Sequence, residues 1–260
     1  FKPAKSFWEQ EWVGFYHFEF LFGDERFLRV LRNTLVMSTI NLVLGFVTAI
    51  TLALLLNEVR HLVFKRVVQT VSYLPHFLSW VVAAGIIRTV LDPDGIINDL
   101  LTRLNLIDEK ILFLGIGEWF WGIYGASIVW KDVGWNTIVY LAAITMIDPT
   151  LYEAARVDGA NRYRMMRHIT IPGIMSTVVV MFILKTGSMI RIGYEKVLLL
   201  YSPSTYEVAD VFSTFVYRKG LLESNYSYAA AVGLFESLVA LVMLLAANFV
   251  SRRLGGRGLW

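Results

Sequence analysis

Five long apolar runs, at 33–57, 67–91, 119–147, 173–192 and 228–250, alternate with polar stretches along the chain. The first carries no charged residue over roughly 25 positions, against the roughly 20 that a helix needs to cross a hydrocarbon core. The pattern predicts an all-α, polytopic transmembrane bundle of about five spans. Within the first run Gly45, Ala49 and Ala53 recur every fourth residue, a smooth stripe for close helix packing. Pro75 interrupts the second run, where a proline kinks a helix and leaves a carbonyl short of a donor, tolerable where protein or a wet cavity supplies one. His76 beside it has two readings, a pathway lining or a hydrogen-bonded packing residue. Few other ionisable groups enter the runs: Arg88, Lys131, Asp132, Lys185, Arg191 and Glu236. Lys131 and Asp132 fall in the outer half of their run, where Lys131 is placed to snorkel. Lys185 and Glu236 fall at matching depths, which leaves two readings: a pair, or two groups separately facing water or another subunit.

The polar stretches differ in kind. Residues 1–32 mix charges with Trp8, Trp12, Phe15, Tyr16 and Phe18, an external or interfacial segment. Asp92-Pro93-Asp94-Gly95 reads as a proline-led turn; its glycine comes too early for a calcium loop and the terminal glutamate is absent. Residues 193–227, with Ser202-Pro203-Ser204, read as an external loop, and 251–260 as a basic tail.

The remaining stretch, 148–172, is a polar island between two apolar runs, DPTLYEAARVDGANRYRMMRHITIP. Asp148 is a helix N-cap and Pro149 fits the first helical position, where a missing N–H costs nothing. The helix carries Glu153, Ala154 and Ala155 and ends at Gly159, a residue suited to a left-handed turn. A second short helix from Asn161 to His168 carries Arg162, Arg164 and Arg167, and Pro172 is expected to end it. Two short helices joined by glycine form a rigid knob. The alanines let a partner's groove approach the backbone, and Glu153 and the arginines offer charge for pairing.

The spacing Glu153-Ala154-Ala155, three residues, Gly159, nine residues, Ile169, one residue, Ile171-Pro172 resembles the EAA loop of ABC-importer membrane subunits. Ile171 departs conservatively from the leucine usual there. The longer IDPTLYEAARVDGA is similar to the sugar-type permeases, and LLLYSPSTYEVADVFSTFVYRKGL to their oligosaccharide branch. The resemblance implies a type I importer permease fold, with a further helix upstream of residue 1. It implies ATPase coupling through Glu153, Ala154, Ala155, Asp158, Gly159, Arg162, Ile169 and Pro172. It also implies a second related permease, two cytoplasmic ATPase subunits holding the ATP and magnesium, an external solute-binding protein and a sugar substrate. No cofactor is expected in this chain.

Composition agrees with a chain that lives in a lipid bilayer: 56% hydrophobic residues, 17% charged, and no cysteine for disulfides or thiolate metal sites. A net charge of +3, without clustering on one polar face, gives no reason to expect nucleic acid. Segments 58–66, 148–172 and 251–260 carry Arg60, Lys65, Arg66, Arg156, Arg162, Arg164, Arg167, Arg252, Arg253 and Arg257 against four acidic residues. The intervening segments hold as many basic residues in about twice the length, so the positive-inside rule puts 148–172 and the 251–260 tail in the cytoplasm. The domain reading is thus 1–32 external, 33–250 a transmembrane permease domain, and 251–260 a tail in a bacterial inner membrane. The chain has no phosphate-loop motif and its histidines are scattered, so no enzymatic constellation emerges. The alternative is a secondary transporter or channel working without an ATPase. The substrate path is expected to use His76, Arg88, Lys131, Asp132, Lys185, Arg191 and Glu236. If Asp132 neutralises Lys131 and Glu236 neutralises Lys185, Arg88 and Arg191 remain near the outer mouth. They then either attract acidic oligosaccharides, such as alginate or pectin fragments, or snorkel to lipid phosphates.

Overall fold

The computed structural model describes residues 6–9 and 11–253. Among these residues every regular element is helical. After α1 (Tyr16–Gly23), α2 (Glu25–Glu58) is one helix of 34 residues. At 1.5 Å per residue it is roughly 50 Å long, more than the ~30 Å of a hydrocarbon core. No break separates residues 25–32 from the apolar run, because helix continuity needs only backbone bonds and tolerates charge on an outer turn. Among the described residues three helices are long and apolar enough to cross a membrane: Glu25–Glu58, Arg162–Gly187 and Tyr226–Phe249. The interrupted pairs Leu62–Phe77 with Trp80–Arg103, and Gly117–Thr145 with Pro149–Val157, bring the number to five when each counts as one span.

The chain divides into two compact units. One comprises 1–39, 80–124 and 188–242. It holds α4 (Trp80–Leu91), the turn at 92–95, where Gly95 N–H donates to Asp92 O (2.8 Å), and then α5 (Ile96–Arg103). Residues 193–227 are not an open loop. They fold into α10 (Tyr194–Leu200), α11 (Tyr206–Ala209), α12 (Phe212–Val216) and tight turns, and bury Val197, Leu200, Val211, Phe212 and Phe215. The polar side chains of α2 hold this segment down. Asn33 donates to the carbonyls of Glu207 (3.0 Å) and Asp210 (3.1 Å), and Thr34 Oγ1 accepts from Phe212 N–H (3.1 Å). Helices this short carry no readable 3.6-residue period, which is why the segment looks like a loop in sequence.

The second unit comprises 40–79, 125–187 and 243–260. Its centre is Ala49, Ala53, Tyr140, Ile144 and Ile174, from α2, α6 (Gly117–Thr145) and α9 (Ile171–Gly187). Ala49 and Ala53 are wholly buried, whereas a Cβ on Gly45 would meet no atom within 4 Å, so the small-residue stripe works through its two alanines. The run at 67–91 is not one kinked helix. α3 (Leu62–Tyr73) passes into a 3₁₀ turn, Leu74–Phe77, that carries Pro75, and α4 starts afresh at Trp80. The fourth run is helical only to Gly187, and α13 (Tyr226–Arg253) carries the fifth. Residues 254–260 of the expected basic tail lie outside the described residues.

Candidate functional site

The polar island folds as a hairpin whose ends are closed by its own side chains. α7 (Pro149–Val157) starts at Asp148, whose Oδ1 accepts from Thr150 N–H (2.9 Å); that bond holds the Asp148 carboxyl below the usual carboxylate range. At the other end Gly159 takes φ +74°, Gly159 N–H donates to Arg156 O (3.1 Å) and Ala160 N–H to Ala155 O (2.9 Å). These two bonds form a Schellman motif, which a side chain at Gly159 would strain. α8 (Arg162–Met165) is capped by Asn161, whose Oδ1 accepts from Arg164 N–H (2.9 Å). Tyr152 on α7 hydrogen-bonds Thr170 (2.9 Å), a buried residue just before α9, and so ties the first helix to the start of α9.

Pro172 does not end the second helix. Residues 166–170 widen into a π-turn, Ile171 N–H donates to Met166 O, and the helix continues into α9. A wider turn removes the need for a donor at 172 and relieves the ring's clash with the preceding carbonyls.

Glu153, Ala154, Asp158, Gly159 and Arg162 are exposed, Ala155 and Ile169 are half-buried, and Pro172 is exposed on the helix. Arg162 stands 4.0 Å from Glu58, a loose contact between half-exposed groups that contributes little. Charge is not the whole surface. Val157 is 88% exposed, and Met146, Leu151 and Tyr163 also lie open. These apolar side chains escape a motif search because none of them occupies one of the motif's fixed positions. A pocket of about 730 Å³ beside them is lined by Glu58, Arg60, Tyr152, Glu153, Arg156 and Arg162 among others.

The expected path residues sort into three groups. His76, Lys131 and Asp132 come together in the second unit. His76 Nδ1 donates to Asp132 Oδ1 (2.9 Å), and its ring stacks on Trp135 at 4.5 Å and 4° between planes. The carboxylate of Asp132 therefore serves His76. Lys131 does not snorkel: it is 4% exposed, and Nζ donates to His76 O (2.8 Å) and Pro75 O (3.4 Å). Trp135, one helical turn from Lys131, is the member the sequence reading missed. Lys185 is exposed near the end of α9. Arg88, Arg191 and Glu236 belong to the first unit. Arg88 Nε donates to Leu199 O (2.6 Å). Arg191 donates to Ser237 Oγ (3.2 Å), on the residue next to Glu236.

The hairpin is thus capped at the start of each of its helices, closed by a Schellman motif between them and largely exposed. The profile of the family described as binding-protein-dependent transport system inner membrane component matches residues 41–256. The chain belongs to that family. It is a permease subunit of an ABC importer and no enzyme; the ATPase is a separate component. The permease is 45% identical to a polygalacturonan/rhamnogalacturonan transport system permease of Bacillus subtilis (strain 168), over all of this chain and 81% of that one. It is 46% identical to a chain in the crystal structure of a bacterial ABC transporter that imports the acidic polysaccharide alginate. That match has a TM-score of 0.90 and covers 95% of this permease and 86% of that chain. A second structure of the alginate transporter, in complex with its pentasaccharide-bound periplasmic protein, matches with a TM-score of 0.91 and 46% identity. That match covers 95% of this permease and 85% of that chain.

Proposed function

We propose that this permease is one of two related membrane subunits of an importer for acidic oligosaccharides, driven by two cytoplasmic ATPase subunits and fed by an external solute-binding protein. The hairpin at 148–172 is the ATPase-coupling element, on the cytoplasmic side of a bacterial inner membrane. The observation that carries this reading is the hairpin's rigidity together with its exposed surface. An element that transmits displacement must not bend, and both of its helices are capped and cross-tied. Glu153, Ala154 and Ala155 present the small and charged face. Asp158, Gly159 and Arg162 form the turn beyond it, while Ile169 and Pro172 seat the hairpin on α9. Closure of the ATPase pair on ATP then moves the hairpin as a lever and switches the cavity between its two sides.

The His76–Asp132–Trp135 cluster suits the substrate path. An exposed indole gives the C–H face of a sugar ring a platform, and the imidazole and carboxylate offer a donor and an acceptor for hydroxyls. Lys185 and Arg88 add exposed positive charge. The acidic class of substrate is supported by the polygalacturonan and alginate importers to which this chain is similar.

Two measurements test the reading. Glu153→Lys and Ala154→Trp should abolish co-purification of the ATPase subunit, since charge reversal and overfilling at an interface each cost several kcal/mol. Full retention by both variants refutes the coupling role. A panel of oligogalacturonates, alginate oligomers and neutral maltooligosaccharides should stimulate ATP hydrolysis by the reconstituted importer only for the acidic members; equal stimulation by the neutral ones refutes the substrate class.

A further inference from the structure

The break after α3 leaves carbonyls with acceptor capacity to spare, because the chain leaves the helix at Leu78; Pro75 O accepts Leu78 N–H (3.2 Å) and keeps a second lone pair. The carbonyls of Pro75 and His76 converge on a single ammonium. Lys131 Nζ lies 2.8 Å from His76 O and 3.4 Å from Pro75 O, on a side chain only 4% exposed. A buried ammonium is tolerated only when its donors are used, and here these two carbonyls accept from it. The same residue, His76, is held a second time through its ring, which donates to Asp132 and stacks on Trp135. α6 thus grips His76 with three neighbouring residues, Lys131 on the main chain and Asp132 and Trp135 on the side chain. The approach is close: a Cβ on Gly134 would stand 2.2 Å from Ser72 O.

We propose that Lys131 is a positioning residue for sugar recognition, whose ammonium fixes the main chain at 75–76 and so holds the His76 imidazole against Asp132 and Trp135. The proposal rests on the reading that His76 borders the substrate path. Lysine fits the task because its compact head turns freely to meet two carbonyls, where the planar guanidinium fork of arginine imposes its own geometry. Lys131 does not itself touch the sugar; it acts through His76.

The test is a double-mutant cycle in the complete reconstituted importer, with the oligosaccharide that stimulates the wild-type complex most strongly. Lys131→Met should raise KM about tenfold or more, the scale of losing hydrogen bonds to a charged group, with the maximal rate within about twofold. His76→Gln should raise KM comparably. The double variant should be no worse than the more impaired single, because both changes remove one arrangement. Lys131→Arg, which keeps N–H donors, should recover part of the loss and supplies the cycle if Lys131→Met does not assemble. An unchanged KM in Lys131→Met beside an impaired His76→Gln overturns the proposal alone. So does a fall in maximal rate at constant KM, or fold-changes that multiply independently. An unchanged KM in His76→Gln refutes the path reading, and the proposal falls with it.

Discussion

Gly134→Ala is the sharpest perturbation of the second unit. An ideal Cβ at 134 would lie 2.2 Å from Ser72 O, 2.4 Å from Ser72 C and 2.8 Å from the Tyr73 ring, against 3.4–4 Å for an ordinary contact. The nearest obstacles are backbone atoms at the end of α3, so no rotamer change relieves them. α6 must back away from α3 by roughly 1 Å or more, which forfeits packing on both sides of the contact. Overpacking of this kind costs about 1–3 kcal/mol, and the upper end applies where backbone is the obstacle. The displacement also falls between Lys131 and Trp135, so the grip on His76 loosens with it. Gly45→Ala is the matched control, since its Cβ would meet nothing within 4 Å of this chain and alanine favours helix by up to about 1 kcal/mol. Thermal inactivation of the detergent-solubilised importer, with KM from sugar-stimulated ATP hydrolysis, separates the two. Gly134→Ala should lose thermal stability and raise KM, while Gly45→Ala should do neither. Equal behaviour of the two variants would show that α6 and α3 do not approach at Gly134.

Val157→Asp, at an exposed apolar position of the hairpin, should weaken capture of the ATPase subunit about tenfold, the scale of one valine's burial; binding isotherms with the purified ATPase decide it. The depressed pKa of Asp148 predicts that capped-hairpin stability is present above the ordinary carboxylate pKa and is lost as pH falls through the folded-state value. Amide exchange at 151–156 should therefore accelerate on acidification, and Asp148→Asn should flatten that dependence; a profile that Asp148→Asn leaves unaltered counts against the cap as its source. Asn33→Leu removes the side-chain donor to the Asp210 carbonyl and leaves the Glu207 carbonyl with Arg32 alone, costs about 1–3 kcal/mol, and should raise amide exchange across 206–216 before any other segment. Single cysteines in this cysteine-free chain should react from the cytoplasm at Arg60 or Arg164 and from outside at Glu109 or Lys219; reversed labelling overturns the orientation.

The hairpin at 148–172 was legible residue by residue because its signals act over a few positions. Asp148 bonds an amide two residues on, Gly159 turns the chain at its own φ, and Asn161 caps the next helix. The membrane class was equally local, since apolar runs of this length have few other homes. Pro172 misled for the opposite reason: a proline's effect depends on whether neighbouring backbone bonds can shift register, and the π-turn at 166–170 lets them. The segment at 193–227 passed for a loop because its helices are short and are held by Asn33 and Thr34, far away in sequence.

By itself the sequence determined the helical membrane architecture, the capped hairpin and the family to which it belongs, all of which rest on period, length and fixed spacing. The partners of its few ionisable groups belong to the tertiary structure. Lys131 and Asp132 stand side by side in the chain, yet one takes the carbonyls of a broken helix some 55 residues away and the other takes His76. Arg191 meets Ser237, the neighbour of Glu236, a contact that depth along the helices did not reveal. Depth along a helix is a sequence property, but facing is not: a charge pairs with whatever group packing brings within a few ångströms, and only the folded chain specifies which group that is.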